Sequence, residues 1–339
     1  MYFQWNPGFS RKKFSMRKII ILTAVIFITP SLFSQKGRND FMQEIRVRAD
    51  NDNYAFTFTD GYYTNGLFLQ YSKPAKWKTS DKLVKIITDY TLGQMIFNSE
   101  NYNDRSFSSI DRPLSGYLFL QKGYKFFYKK GHVLQTDFTL GGTGKASYAK
   151  EVQIWYHKLT GLPKVTGWPL QLNGETTMNL SAQYNYNLLG IKNQRSNLEI
   201  MGIATGNIGN AFTNTSGGLM IKYGNFEDPS RSSFYNARTG KGTGRQLKRN
   251  AEVFIYFNPQ LVHQFYNATV EGPLFRKDKG PFVSEITKSF YQHRWGIHYA
   301  ERGWTLDVHF VLKNREAVSM REKERYGSIS IAYRFGRTN

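Results

Sequence analysis

Along most of this chain apolar and polar residues alternate with a period of two. Ile45, Val47 and Ala49 alternate with Glu44, Arg46 and Arg48, and Leu67 and Leu69 with Phe68 and Gln70. Leu118 and Leu120 alternate with Tyr117 and Phe119. Further runs cover 178–186, 198–203, 218–223, 252–257, 260–270, 295–299, 305–312 and 328–335, with 86–97 and 133–140 fitting more loosely. A period of two sends successive side chains to opposite faces, so each run reads as a strand between two environments. The pattern predicts about a dozen strands. The interval 141–174 breaks the alternation and reads as an inserted loop, within which 149–159 form a short helix. No Pro- or Ser-rich linker divides 36–339, so one domain is expected.

Composition decides which two environments these are. The mean hydropathy of −0.51 is too polar for a helical membrane protein. Yet 16% of the 339 residues are aromatic, with 22 Tyr, 26 Phe and 30 Gly. Outward-facing aromatics in that number suit a transmembrane antiparallel β-barrel of about twelve strands, whose aromatic girdles mark both interfaces. A secreted β-sandwich alternates similarly but carries fewer outward aromatics. The last run ends on Phe335, an aromatic finish common in outer-membrane barrels.

At the other end, Met16-Arg-Lys18 precedes an apolar run, 19–33, followed by Ser34-Gln35. A basic flank, a short apolar stretch and a small-residue site describe a secretory signal. The alternative is a buried helix; a transmembrane helix needs about 20 apolar residues. The expected division is an upstream extension at 1–15, a signal peptide at 16–34 and an outer-membrane barrel over 35–339. The absence of Cys excludes disulfides and thiolate metal sites.

The formal charge is +21; five basic residues and no acids fall in 1–34, leaving +16 on the remainder. These charges are dispersed and no nucleic-acid module accompanies them, so a nucleic-acid partner is not expected. A basic barrel favours an anionic lipid surface, such as phosphorylated glycolipid in an outer leaflet.

The densest chemistry lies in Arg48-Ala-Asp-Asn-Asp-Asn-Tyr-Ala-Phe-Thr-Phe-Thr-Asp60-Gly-Tyr-Tyr-Thr64-Asn-Gly66. Carboxylate and amide oxygens converging at strand ends suit a hard cation such as Ca²⁺. The same residues also suit an ordinary hairpin turn. Among six His, five (132, 263, 293, 298, 309) sit in or beside strand-like runs and read as lumen or interface residues. His157 differs: Gln153 and His157, four apart, share one face of the helix. A helical His beside an orienting amide is a candidate general base, although a lone His more often packs structurally.

Taken in order, several motifs resemble one family. They are Asn51-Asp52, Thr59-Asp60-Gly-Tyr-Tyr-Thr64-Asn-Gly66, Asp111-Arg112-Pro113-Leu-Ser-Gly116, Gln153-x₃-His157 and Gly167-Trp168-x₂-Gln171-x₃-Glu175. The set is similar to the LpxR-type lipid A deacylases, outer-membrane enzymes that remove the 3′-linked acyloxyacyl chain of lipid A. The resemblance implies a twelve-stranded barrel acting on lipid A or lipopolysaccharide among outer-membrane lipids, as a monomer, by Ca²⁺-dependent hydrolysis. By position it implies catalytic roles for Asn51, Thr64, Gln153 and His157, with His157 as base, and a metal at Asp52. Glu175 is either a further Ca²⁺ ligand or a structural loop carboxylate. One departure stands out: Met95 occupies the region where the family carries a site lysine. The competing readings are an outer-membrane phospholipase and a passive porin-like barrel. A phospholipase is expected to set a Ser nucleophile beside its His, and the sequence offers no serine with a persuasive partner.

Overall fold

The computed structural model describes residues 41–55, 61–77, 80–100, 110–189, 197–241 and 251–337. The expected extension and signal peptide therefore lie outside the described residues, as do Thr59 and Asp60. The strands are β1 (Phe41–Asn51), β2 (Tyr62–Pro74), β3 (Leu83–Asn98), β4 (Ser115–Tyr128), β5 (Val133–Thr143) and β6 (Thr176–Leu189). They continue as β7 (Leu198–Gly209), β8 (Phe212–Asn225), β9 (Ala251–Asn267), β10 (Ser289–Glu301), β11 (Trp304–Lys313) and β12 (Glu324–Arg337). Each pairs antiparallel with its chain neighbours, and β12 pairs with β1, closing a twelve-stranded barrel. Helix α1 (Ala149–Thr160) lies in the long β5–β6 connection, and the short α2 (Ala268–Glu271) follows β9.

Two runs that alternation separates, 252–257 and 260–270, form the single strand β9 as far as Asn267, where the chain turns into α2. Between them Pro259 lacks a ladder N–H. The amide of Asn258 donates to the Leu219 carbonyl of β8 at 2.6 Å and supplies a side-chain donor at that break.

The faces invert the arrangement of a water-soluble protein. Leu67, Leu120, Ile208 and Ile255 point outward and are exposed, while Glu44, Asp89, Lys222, Glu252 and Arg334 are buried inside. Lumen charges are paired: Lys222 with Glu199 at 2.7 Å, Lys125 with Asp89 at 2.9 Å and Arg334 with Glu44 at 3.0 Å. Outward aromatics include Phe265 and Tyr291 towards one rim and Tyr223, Trp304 and Tyr333 towards the other. Such girdles mark the two membrane interfaces.

The long connections collect at the rim where β1 ends and β2 begins. The opposite rim carries Phe41, and there the chain after β8 turns back inside. Residues 226–241 fold into the lumen as a plug, with Ser232, Ser233, Ala237 and Thr239 fully buried. Lys85 of β3 gives its ammonium to the carbonyls of Ser230 (3.0 Å), Ala237 (2.6 Å) and Gly240 (2.9 Å). Arg46 of β1 donates to the Ser233 carbonyl at 3.0 Å, and Asn236 donates to Ser72 of β2 at 2.9 Å. Phe226, Tyr235 and Ala237 complete an apolar cluster with Ile87, Phe127, Met201 and Phe254. The lumen is closed at that end.

Candidate active site on the outer wall

Residues at the end of β1 divide between the two faces. The Tyr63 hydroxyl donates to Asp50 Oδ2 at 2.9 Å inside the barrel, so Asn51 falls on the outer face with Val47 and Ala49. Across β2 its partner is Asn65, and Asn51 Nδ2 donates to Asn65 Oδ1 at 2.7 Å and to the Thr64 carbonyl at 3.2 Å. Thr64 is the extra residue of a β-bulge, because Tyr63 pairs with Phe97 and Asn65 with Ile96. Bulges re-aim side chains and gather beside active sites. Here the bulge buries Thr64 completely at the end of the wall.

Asp52 opens the turn that leaves β1. Its Oδ1 accepts from the Asn53 N–H at 2.8 Å and its Oδ2 from the Gly61 N–H at 2.9 Å, fixing a buried carboxylate beside the Asn51 amide. Next to it Tyr62 holds a left-handed φ of 57°. Non-glycine residues persist there only when neighbours over-determine them. Its hydroxyl donates to Asp111 Oδ2 at 2.6 Å, and Ser99 donates to Asp111 Oδ1 at 2.7 Å. Arg112, fully buried, lies 4.2 Å over the Phe97 ring, donates to Thr269 Oγ1 at 3.0 Å and pairs with Glu316. Burial would raise the Glu316 carboxyl, but Lys313 and Arg112 outweigh it and hold it below the ordinary carboxylate range. The Asp111-Arg112 motif is thus the tie between three rim loops.

Helix α1 lies outside the barrel. Gly116 faces outward on β4, and a Cβ there would sit 2.2 Å from the Ala149 Cβ, so only glycine lets the helix approach this closely. Ile96, Leu114, Ala149, Val165 and Trp168 form the apolar seat, with Ile154 packed against it. On β3, Gln94 donates to the Ser147 carbonyl at 2.7 Å and ties the lead-in turn to the wall. The helix ends at Gly161, whose φ of 74° is the left-handed C-terminal cap.

This seat buries the polar edge of α1. His157 Nδ1 lies 2.7 Å from the Pro163 carbonyl. A carbonyl only accepts, so Nδ1 carries the hydrogen, and Nε2 of the neutral ring keeps the lone pair. One turn earlier Gln153 Oε1 accepts the Trp168 indole N–H at 3.0 Å. Indole is a donor only, which fixes the amide: its oxygen faces Trp168 and its NH₂ faces the other way. That NH₂ is buried and has no partner among the described residues.

In the wall register Asn51, Asn65, Ile96 and Gly116 follow one another across four strands on one outward row. At about 4.8 Å per strand, roughly 10 Å of wall separates Asn65 from Gly116, where α1 approaches most closely. Among the described residues no hydrogen bond or ion pair joins Asn51, Asp52 or Thr64 to Gln153 or His157; they flank a common patch of outer wall. Glu175 stands elsewhere, before β6. Its Oε1 accepts from Asn210 Nδ2 at 3.0 Å and the Leu274 N–H at 2.8 Å, and its Oε2 from the Phe275 N–H at 3.0 Å. Those contacts make it a loop anchor. Met95 points into the lumen, against Phe68, Tyr117 and Phe119, and its outward neighbour is Gln94. Among the described residues no group of three or more His, Cys, Asp or Glu could hold a metal by itself.

Sequence reasoning passed over Trp168 and Gln94 as contributors. A buried Trp needs a partner for its N–H, and that need pointed towards the amide of Gln153. The structure also corrects the expectation that no serine has a histidine partner. Ser233 Oγ lies 2.8 Å from His298 Nε2, and His298 Nδ1 lies 2.9 Å from Asp307 Oδ2. The trio is wholly inside the plugged lumen, and the Ser233 hydroxyl donates to Glu252 Oε2 at 2.6 Å. With its hydrogen directed to a carboxylate and no access for substrate, Ser233 pins the plug.

The family model described as "Outer membrane protein LpxR" matches residues 19–335. No curated protein sequence matches the chain. Among solved structures, LpxR from Salmonella typhimurium is similar with a TM-score of 0.68 at 15% identity, covering 86% of this chain and 100% of that one. The β domain of the Bordetella autotransporter BrkA has a TM-score of 0.47 at 11% identity, with 88% and 100% covered. The translocator domain of NalP from Neisseria meningitidis has a TM-score of 0.42 at 10% identity, with 94% of each chain covered. The first shares the fold. The match to the family model spans the whole barrel from β1 into β12, and the chain belongs to the LpxR family of outer-membrane proteins.

Proposed function

We propose that this barrel hydrolyses the 3′-linked acyloxyacyl ester of lipid A at the outer-wall patch, with His157 as general base. The carrying observation is the lock between His157 Nδ1 and the Pro163 carbonyl, which makes Nδ1 the donor and Nε2 the acceptor nitrogen of a ring on a helix seated outside the wall. Nε2 takes a proton from water as the water oxygen attacks the ester carbonyl. The Gln153 NH₂, turned away from Trp168, is the donor for the developing oxyanion. As the intermediate collapses, the imidazolium returns the proton to the departing sugar oxygen.

The donor set at the strand ends is all oxygen: the Asp52 carboxylate, the Asn51 and Asn65 amides and the Thr64 hydroxyl. It suits a hard cation, and Asp52, Asn51 and Thr64 are the residues that would hold Ca²⁺. When bound, that cation supplies Lewis-acid polarisation of the ester carbonyl. We assign Glu175 to the loops it anchors, not to this set. The dispersed basic charge includes exposed Lys145, Lys150, Lys158 and Lys164 around α1, which favour a phosphorylated glycolipid over a neutral lipid.

The test is release of fatty acid from purified lipid A in detergent, read by mass. Chelation should abolish release and Ca²⁺ restore it, with Mg²⁺ poorer because it demands tighter octahedral geometry. Full activity after exhaustive chelation would remove the metal from this reading. Release from phospholipid but not lipid A would favour the phospholipase instead.

A further inference from the structure

Helix α1 is amphipathic in the reverse sense to a helix on a water-soluble protein. Its wall-facing edge carries Gln153 and His157, at 1% and 2% exposure. Its outward edge carries Tyr148, Val152, Trp155 and Leu159, at 60%, 38%, 62% and 66% exposure. The spacings of four, three and four residues hold these four within one narrow stripe, opposite His157. Tyr148 is the capping residue before the first turn; the others lie within the helix.

What covers this stripe follows from where the helix sits. Its seat, Ile96 and Gly116, lies on the outer face of β3 and β4. One register position deeper on that face are Gln94, which is tied to the turn before α1, and Leu67, 58% exposed to lipid. Leu120 and Leu140, at 64% and 45% exposure, continue the same apolar band beside the helix. The stripe therefore extends the surface that faces the membrane; Lys158 and Glu151 flank it along one side of the helix, and Lys145 stands in the turn before it. Aromatic and aliphatic residues on one helix edge with charged residues beside them describe a helix lying in the plane of a membrane interface.

We infer that α1 is an interfacial helix whose Tyr148–Val152–Trp155–Leu159 stripe inserts among the acyl chains of the membrane leaflet. Insertion fixes the depth of Gln153 and His157 relative to the acyl chains. That consequence for catalysis rests on the hydrolytic reading above, whereas the insertion does not.

The chain has no Cys, so single cysteines placed along 148–160 can carry a spin label without competition. The protein is reconstituted in vesicles of phosphatidylcholine with phosphatidylglycerol, and each label is probed for collision with oxygen and with a water-soluble nickel chelate. Leu120→Cys supplies the hydrocarbon benchmark and the exposed loop position Lys277→Cys the aqueous one. The ratio of oxygen to nickel accessibility should oscillate with helical period, reaching the Leu120 value at 152, 155 and 159. Values at those positions matching Lys277, or no oscillation, would overturn the inference. Heat-modifiable migration of each labelled variant confirms a folded barrel. An inserted stripe on a protein inert towards lipid A would remove the hydrolytic reading and leave this one standing.

Discussion

At the scale of the residue, the site is defined by which atom of each side chain is already committed. His157 spends Nδ1 on Pro163 and Gln153 spends its oxygen on Trp168. If Gln153 is the oxyanion donor, Trp168 has a positioning role that a purely structural tryptophan would not have. Trp168→Phe keeps the ring and removes only the N–H, freeing the Gln153 amide to turn. It should slow turnover by about tenfold to a hundredfold with little change in KM, the scale of a misplaced catalytic group. Gln153→Ala should cost at least as much. If the two act as one unit, the double variant will be no slower than Gln153→Ala alone. Strictly additive losses would show that Trp168 acts through packing, since independent sites add.

At the scale of the element, alternation in the sequence located the strands because lipid on one side and a polar lumen on the other impose it at every position. It could not find Thr64 as a bulge, since the extra residue is defined by the partner strand and not by its own neighbours. It split β9 at Pro259, where the side chain of Asn258 serves the Leu219 carbonyl. The plug formed by 226–241 was invisible for a related reason. Its hydrogen bonds come from Lys85, Arg46 and Ser72 on distant strands as well as from Glu252 on β9, so no local pattern announces it. Lys85→Met removes the ammonium from three plug carbonyls and leaves them without that donor. In planar lipid bilayers the wild-type barrel should pass no steady current, and Lys85→Met should give fluctuating openings. A wild-type protein that conducts like a porin would show that the plug is not seated and would restore the passive-channel reading.

At the scale of the whole molecule, the barrel places the proposed site on its outside. A closed wall with a plugged lumen leaves Asn51, Asp52, Gln153 and His157 associated with the lipid-facing surface. The sequence made the barrel legible through strand period, aromatic content and the final strand, and it offered the candidate site residues as motifs in order. It did not reveal that Asn51 and α1 share an outer face, because face is set by register around the closed sheet. It also left Glu175 open between two roles; in the structure three N–H donors surround its carboxylate.

The most direct test of the central claim is mass spectrometry of lipid A from cells expressing the wild-type protein or His157→Ala, with no protein as baseline. The wild type should shift lipid A down by the mass of one acyloxyacyl group. His157→Ala, at equal levels of folded, heat-modifiable barrel, should reduce that conversion by roughly 10²–10⁴-fold, the usual worth of a positioned base. The helix stands outside the hydrogen-bonded wall, so the substitution should not disturb assembly. Lipid A left unchanged by folded wild-type protein, or converted equally well by His157→Ala, would contradict the account.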